Sequence, residues 1–233
     1  MLSIVIPVRN DAAALRCTLD HLDALRLRGA IEVIVAACDD VEGTTAAVAD
    51  RAILIWSDES TRAALMNAGA AVARGDVLLF LHADSMPPLN AWELMRAALQ
   101  TPGVIGGAFE HRFTERDWRL RVISAIDRVR YRLTRNYYGD QGIFVRAAVF
   151  HQLGGFRSLS LMEDLDFSQR LKRVGPTRLI KAPLETSGRR FLGRGPWRTL
   201  LQCGWLVVLW TFGVNTERYA EGWRGPVGRD ITS

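Results

Sequence analysis

The sequence predicts an α/β fold built on a mostly parallel sheet with helices on both faces. Three observations lead there. Short apolar, β-branched runs alternate with helical spacings through the first 81 residues, the pattern of strand–helix–strand units. The 233 residues suffice for one large domain or two small ones. Hydrophobic residues make up 48% and charged residues 24%, which excludes disordered, collagen-like and disulfide-scaffold chains.

Leu2 to Val8 is apolar and β-branched, and reads as a buried strand. Leucines at 15, 19, 22 and 25 predict a helix over Asp11 to Leu27, with Asn10 or Asp11 as its N-cap. Ile31 to Ala36 is a second strand, Thr44 to Asp50 a short helix and Ala52 to Trp56 a third strand. The alanine-rich stretch Ser60 to Arg74 is helical, with Gly75 as its terminating glycine. Val77 to Leu81 is a fourth strand. In such sheets ligands bind beyond the carboxyl ends of the strands. That directs attention to Val8–Asp11, Ala37–Gly43, Ser57–Arg62 and His82–Asp84. The second part is less regular. A helix is expected from Pro87-Pro88 to Gln100, a strand over Val104 to Phe113 and a basic helix over Arg116 to Thr134. A short strand at Gly142 to Val145 and a helix over Glu163 to Val174 follow. The chain is taken as a single domain with three stretches: residues 1–109, 110–195 and 196–233.

The net charge of +5 is uneven, with −5 over residues 1–109 and +10 over residues 110–200. Nearly all the basic residues are arginines, whose forks match phosphate or carboxylate; solvated helix faces explain such charge equally well. No zinc finger, RNP aromatic pair or GXXG loop is present, so no nucleic acid partner is expected. Cys17, Cys38 and Cys203 form no CxxC pair, which fits a reducing compartment. The amino terminus reads as a strand rather than a signal peptide.

Neither GxGxxG nor GxxxxGK[ST] follows a strand, which argues against dinucleotide-binding dehydrogenases and P-loop nucleotidases. His82-Ala83-Asp84 closes the fourth strand. In an extended segment the first and third side chains share a face. The pair would suit a divalent cation completed by phosphate oxygens and water; the plainer reading is a turn with Asp84 capping the next helix. Glu163-Asp164 opens a helix, where carboxylates serve the dipole or act as a general base. Arg189-Arg190 could clamp a diphosphate or be solvated. Tyr138-Gly139-Asp140-Gln141-Gly142 sets polar groups just before a strand.

Taken in order, these segments resemble the family 2 glycosyltransferases, which have the GT-A fold. The resemblance runs from Ser3 to about Val214. It rests on Ile6-Pro7-Val8-Arg9-Asn10-Asp11, Asn67-Ala68-Gly69, Gly75-Asp76, Phe80-Leu81-His82-Ala83-Asp84 and Met162-Glu163-Asp164. The segments MNAGA, GDVLLFLHAD, GGAF, YGDQGIFVR, LGGF and LMED resemble a small bacterial subgroup often labelled arsenosugar-type. The resemblance implies an inverting, metal-dependent transfer of a sugar from a nucleoside-diphosphate sugar to an unidentified small-molecule or lipid acceptor, with Mn²⁺ or Mg²⁺ as cofactor. Pro7, Val8 and Asp11 would line the nucleotide pocket, and Arg62 would approach the base or diphosphate. Asn67, His82 and Ala83 would also contact the donor. Asp84, with His82, would hold the metal. Asp164, beside Glu163, would be the base, and Arg189 and Arg190 would stabilise the leaving diphosphate. Gly107, Asp140 and Gln141 would face the acceptor. Two positions depart from the family pattern. Ala37 stands where an Asp usually recognises the base, with Asp39 and Asp40 as its substitutes. His82 stands where the metal motif usually has its first Asp.

Leu200 to Val214 is fifteen residues without a charge, shorter than the roughly 20 that span a bilayer. It is expected to be an apolar helix forming core or a homodimer face, with a membrane interface as the alternative. The location expected is cytoplasmic, with the inner face of the membrane as its variant. Two other functions stay open: a catalytically silent nucleotide- or sugar-binding protein on the same fold, and a peripheral membrane-binding module.

Overall fold

The computed structural model describes residues 1–9, 11–40 and 43–224. Eight strands form one sheet: β1 (Leu2–Val8), β2 (Ile31–Ala37), β3 (Ile53–Trp56), β4 (Val77–Phe80), β5 (Ser85–Met86), β6 (Gly106–Phe113), β7 (Ile143–Arg146) and β8 (Thr177–Thr186). Their spatial order is β3-β2-β1-β4-β7-β6-β8-β5. The first four strands in that order are parallel; β7 joins β4 and β6 antiparallel, while β6 and β8 run parallel. The helices are α1 (Ala12–Arg26), α2 (Thr44–Val48), α3 (Arg62–Val72), α4 (Ala91–Gln100), α5 (Trp118–Thr134), α6 (Ala147–Gln152), α7 (Glu163–Val174), α8 (Arg189–Arg194), α9 (Pro196–Thr211) and α10 (Ala220–Arg224).

The period-2 geometry of a strand divides the core in two. On one face Leu2, Ile4, Ile6 and Val8 of β1 meet Leu15, Leu19, Leu22 and Leu25 of α1, together with Met95 and Leu99 of α4. On the other, Val5, Leu78 and Phe80 meet Ala63, Met66 and Ala70 of α3, and Phe150, Phe167 and Leu171 of α6 and α7. Covering both faces explains why β1 and β4 are apolar at every position but Ser3. α3 lies so close to β1 that a Cβ at Gly69 would come within 2.4 Å of Val5 Cγ1.

Several expectations are corrected. α3 ends at Val72 with Ala73 already extended, so Gly75 is not its terminating glycine. Gly75 is instead confined by packing, because a Cβ there would meet Ser3 Oγ at 2.5 Å. The helix after Pro87-Pro88 begins at Ala91, whose N–H donates to the Pro88 carbonyl. Asp11 occupies the N-cap position of α1 without capping it, and Asn10 lies outside the described residues. The ten-residue β8 is an addition to the predicted elements. Pro183 obscures it, since proline argues against a central strand. The register slips opposite Phe109 and Glu110, so Lys181 and Ala182 form an irregularity just before the proline.

Candidate active site

The expected crevice forms where β1 and β4 end, between the amino termini of α3 and α7. Three elements far apart in sequence meet there. Thr61 caps α3, its hydroxyl accepting from Ala64 N at 3.2 Å, and this sets Arg62 at the helix start. The Arg62 guanidinium spreads over three groups. Nε donates to Glu163 Oε1, Nη1 lies 2.8 Å from His82 Nε2, and Nη2 lies 3.6 Å from Asp164 Oδ2. Because an arginine only donates, that His82 nitrogen accepts, which places its proton on Nδ1. Burial and the positive charges of Arg62 and Arg190 both disfavour the imidazolium, holding His82 well below its usual range.

Glu163 and Asp164 play different parts. The Glu163 side chain is 2% exposed and tied to Arg62. Burial raises its carboxyl against the lowering pull of Arg62. Asp164 is turned to the crevice. Its Oδ2 accepts from Gly139 N at 2.7 Å and its Oδ1 from Leu165 N at 2.7 Å. Gly139 allows that approach, since a Cβ there would sit 2.5 Å from His82 Nε2. The residue before the pair, Met162, has φ 67 and ψ 15, a left-handed conformation that costs a non-glycine residue about 1–2 kcal/mol. This strained joint swings the two carboxylates into one turn. A small cavity of about 10 Å³ lies at this point, lined by Arg62, His82, Gly139 and Asp164 with Met66 and Phe156 behind them.

A second cluster lies at the end of β1. Arg189 of α8 pairs with Asp11 and stands 3.7 Å from Asp84 Oδ2. The β5–β8 pairing puts α8 there, and Ser187 N donates to the Asp84 carbonyl at 3.3 Å. Burial raises the Asp84 carboxyl more than Arg189 lowers it. Arg190 leans over the Trp223 ring, 5.3 Å from its centroid. Burial and the neighbouring Arg62 and Arg194 lower its guanidinium.

The expected sharing of one face by His82 and Asp84 does not occur. β4 stops at Phe80, and residues 83–84 form a turn. His82 therefore faces Arg62 while Asp84 faces Arg189. Among the described residues no group of three His, Cys, Asp or Glu could by itself hold a metal. Asp84 still suits Mg²⁺ or Mn²⁺, which are commonly held by one or two carboxylates with phosphate and water supplying the rest. Its carboxylate is under-compensated by Arg189 and offers a hard oxygen.

The other predicted residues have the following partners. Asn67 bridges the Phe156 backbone with both ends of its amide, at 2.8 and 2.9 Å, and so fixes a loop rather than reaching the crevice. Gly107 lies inside the sheet, where a Cβ would come 1.9 Å from the Arg178 carbonyl oxygen. Gln141 is buried, accepting from Tyr138 N and Arg130 and donating to the Phe109 carbonyl. Asp40 accepts from both the N–H and hydroxyl of Thr45, which lowers its carboxyl and anchors α2. Asp39 lies beside Cys38 Sγ at 3.6 Å. Val8 is packed in the core, Pro7 is buried with it, and Ala37 is fully buried. The Ala83 carbonyl accepts from Thr18 at 2.6 Å. Asp140 lies in the crevice with Oδ2 3.9 Å from His111 Nε2, and desolvation raises its carboxyl. His111, hydrogen-bonded to Thr186 Oγ1 at 2.7 Å, and the Gly139 N–H are the groups that sequence reasoning did not single out. The inward phase of His111 on the predicted strand was the available signal.

Comparison with known proteins agrees with this architecture. No curated protein sequence matches the chain. A mannosyltransferase from Pyrobaculum calidifontis, solved with GDP-Man and Mn²⁺, superposes with a TM-score of 0.66 at 17% identity, over 97% of this chain and 64% of that one. Mannosyl-3-phosphoglycerate synthase from Rubrobacter xylanophilus gives 0.58 at 20% identity, over 88% and 75%. Glucosyl-3-phosphoglycerate synthase from Mycobacterium tuberculosis, solved with Mn²⁺, UDP and phosphoglyceric acid, gives 0.56 at 14% identity, over 80% and 69%. At these identities the likeness shows the fold, and the chain spans 64% of the length of the mannosyltransferase. Residues 3–159 match the model of glycosyl transferase family 2, two thirds of the sequence, and the chain belongs to that family.

Proposed function

We propose that the protein is an inverting glycosyltransferase that moves a sugar from a nucleoside-diphosphate donor to a hydroxyl acceptor. The observation that carries this reading is the Asp164 carboxylate, fixed by the Gly139 and Leu165 N–H groups and lining a small cavity beside Arg62. Such a carboxylate is preoriented as a general base. It would take the acceptor's proton as the acceptor oxygen bonds the anomeric carbon. The bond from that carbon to the diphosphate breaks, and its electron pair leaves on the phosphate oxygen. Arg189 and Arg190 would offset the charge that develops there. Asp84 would hold Mn²⁺ or Mg²⁺, which when bound offsets charge on the diphosphate. Glu163 holds Arg62 in place rather than moving a proton. In this reading residues 1–109 supply most donor contacts, and residues 110–195 supply the base and the acceptor side. GDP- and UDP-linked sugars, the nucleotides seen in the related structures, are the first donors to test.

A second reading, donor binding without turnover, draws on the separation of His82 from Asp84, which leaves one carboxylate for the metal. A panel of nucleotide sugars and candidate acceptors, with and without Mn²⁺, separates the two. Metal-dependent nucleoside diphosphate release that Asp164→Ala abolishes, with calorimetric donor binding retained, supports transfer. Donor binding with no nucleoside diphosphate release in the presence of any acceptor supports the silent reading.

A further inference from the structure

α5 and α9 expose two matching apolar stripes. On α5 the stripe is Trp118, Val122, Ile126, Val129 and Leu133, between 38% and 81% exposed. On α9 it is Trp197, Leu201, Trp205, Val208 and Phe212, the last lying just past the helix end, between 42% and 81% exposed. Both follow the same four-four-three-four spacing, which at 100° per residue keeps each on one side of its helix. The opposite sides are accounted for: Leu120 and Ile123 of α5 pack with Phe113, Phe191 and Leu200. The two stripes meet where the helices begin, with the Trp118 and Trp197 rings 6.1 Å apart. They therefore form one continuous surface. An apolar surface of this extent marks a binding face.

We infer that this face docks on an anionic phospholipid bilayer. Arg121, Arg128 and Arg132 line one flank of the α5 stripe, all exposed, and none of them makes an ion pair among the described residues. Asp127 is the only acid on α5 and is taken by Arg130, while α9 carries no acid at all. A second copy of the chain stacked on this face about a twofold axis would bring arginine rows together without carboxylates to meet them. Phosphate headgroups would supply the missing negative charge, and tryptophans favour the depth just below them. No helix among the described residues is long and apolar enough to cross a membrane. The 16 residues of α9 give about 24 Å, so the helix would lie in the interface plane. This inference stands on the surface alone and is independent of the transfer reading.

The test is flotation of the 233-residue chain with phosphatidylcholine vesicles and with vesicles containing phosphatidylglycerol, at low and high salt, beside sedimentation velocity without lipid. The expected result is flotation with the anionic vesicles, weakened by salt. Replacing Arg121, Arg128 and Arg132 by Gln together should weaken partitioning on the order of a hundredfold. Leu201→Glu with Trp205→Glu should abolish it while the circular dichroism melt stays unchanged. Should that pair not fold, Leu201→Ser with Trp205→Ser carries the same expectation. No flotation, flotation indifferent to charge and to the arginine variant, or a dimer that Trp205→Glu dissociates in a chain that never floats would each overturn the inference.

Discussion

The two charged clusters at the crevice are held in different ways. Arg62, Glu163 and Asp164 form the interior one. Glu163 is 2% and Asp164 12% exposed at the side chain, and each carboxylate has a partner drawn from a distant segment. Asp11, Asp84 and Arg189 form the outer one, more open, with Arg189 48% exposed and Asp84 standing 3.7 Å from it. The first is organised before any ligand arrives. The second has charge left to satisfy, which suits a diphosphate and a cation that come and go. In the proposed reading, rigidity and vacancy divide between the side that would handle the proton and the side that would hold the diphosphate.

The largest expected effect breaks the interior cluster at its base. Asp164→Asn keeps the shape but removes proton acceptance, and turnover should fall by about 10²–10⁴ in a steady-state assay while donor binding by calorimetry changes little. A turnover loss below tenfold would move the base elsewhere. The outer cluster gives the next effect. Asp84→Asn should lower turnover by about 10²–10³, the scale of losing one electrostatic stabiliser, and should erase the metal dependence of donor binding. If both variants lost donor binding alike, the division of labour between the clusters would fail.

Stability sharpens the same contrast. Glu163 pairs with Arg62 where water is largely excluded, and removing one partner of a buried pair commonly costs 3–5 kcal/mol. Arg62 is itself 38% exposed, so Glu163→Gln should cost about 2 kcal/mol in chemical denaturation, below that range. The open pair tested by Asp11→Asn should cost about 0.5 kcal/mol. Equal losses would show that the interior pair is as solvated as the outer one.

Much of the frame was legible in the sequence, for physical reasons that also explain what was not. β1, β2 and α7 are set by local periodicity, and their bounds emerge within a residue of those expected. β8 is hidden by Pro183, because its pairing with β6 accommodates the ring through an irregularity at Lys181 and Ala182 of β8 itself. Asp164 could be singled out as a carboxylate at a helix start, and Arg62 through the family resemblance. Their meeting could not, because 101 positions separate Arg62 from Glu163. His82 and Asp84 looked like a pair on strand geometry, but a turn intervenes that no glycine or proline announces. Asn67, Gly107 and Gln141, expected at the donor or the acceptor, make their observed contacts within the scaffold, which only hydrogen-bond partners and close approaches reveal.

The smallest expected effect lies beside the interior cluster, at Asp140. Its carboxyl is raised above 3.8 by desolvation, with Asp127 and Asp164 adding to the rise and His111 and Arg130 opposing it. A raised carboxyl binds its proton more readily in the folded than in the unfolded chain. Its contribution to stability is therefore complete below about pH 3.8 and is lost as pH rises through the folded value. The side chain is 42% exposed, so the energy involved is heavily screened. Asp140→Asn should flatten the fall of the thermal midpoint as pH rises from about 4 towards neutrality, and should leave the neutral-pH midpoint equal to or slightly above that of the parent. A variant whose pH slope matches the parent would show that Asp140 is solvated like an ordinary surface acid. Asp140 would then behave like the open outer cluster rather than the interior one.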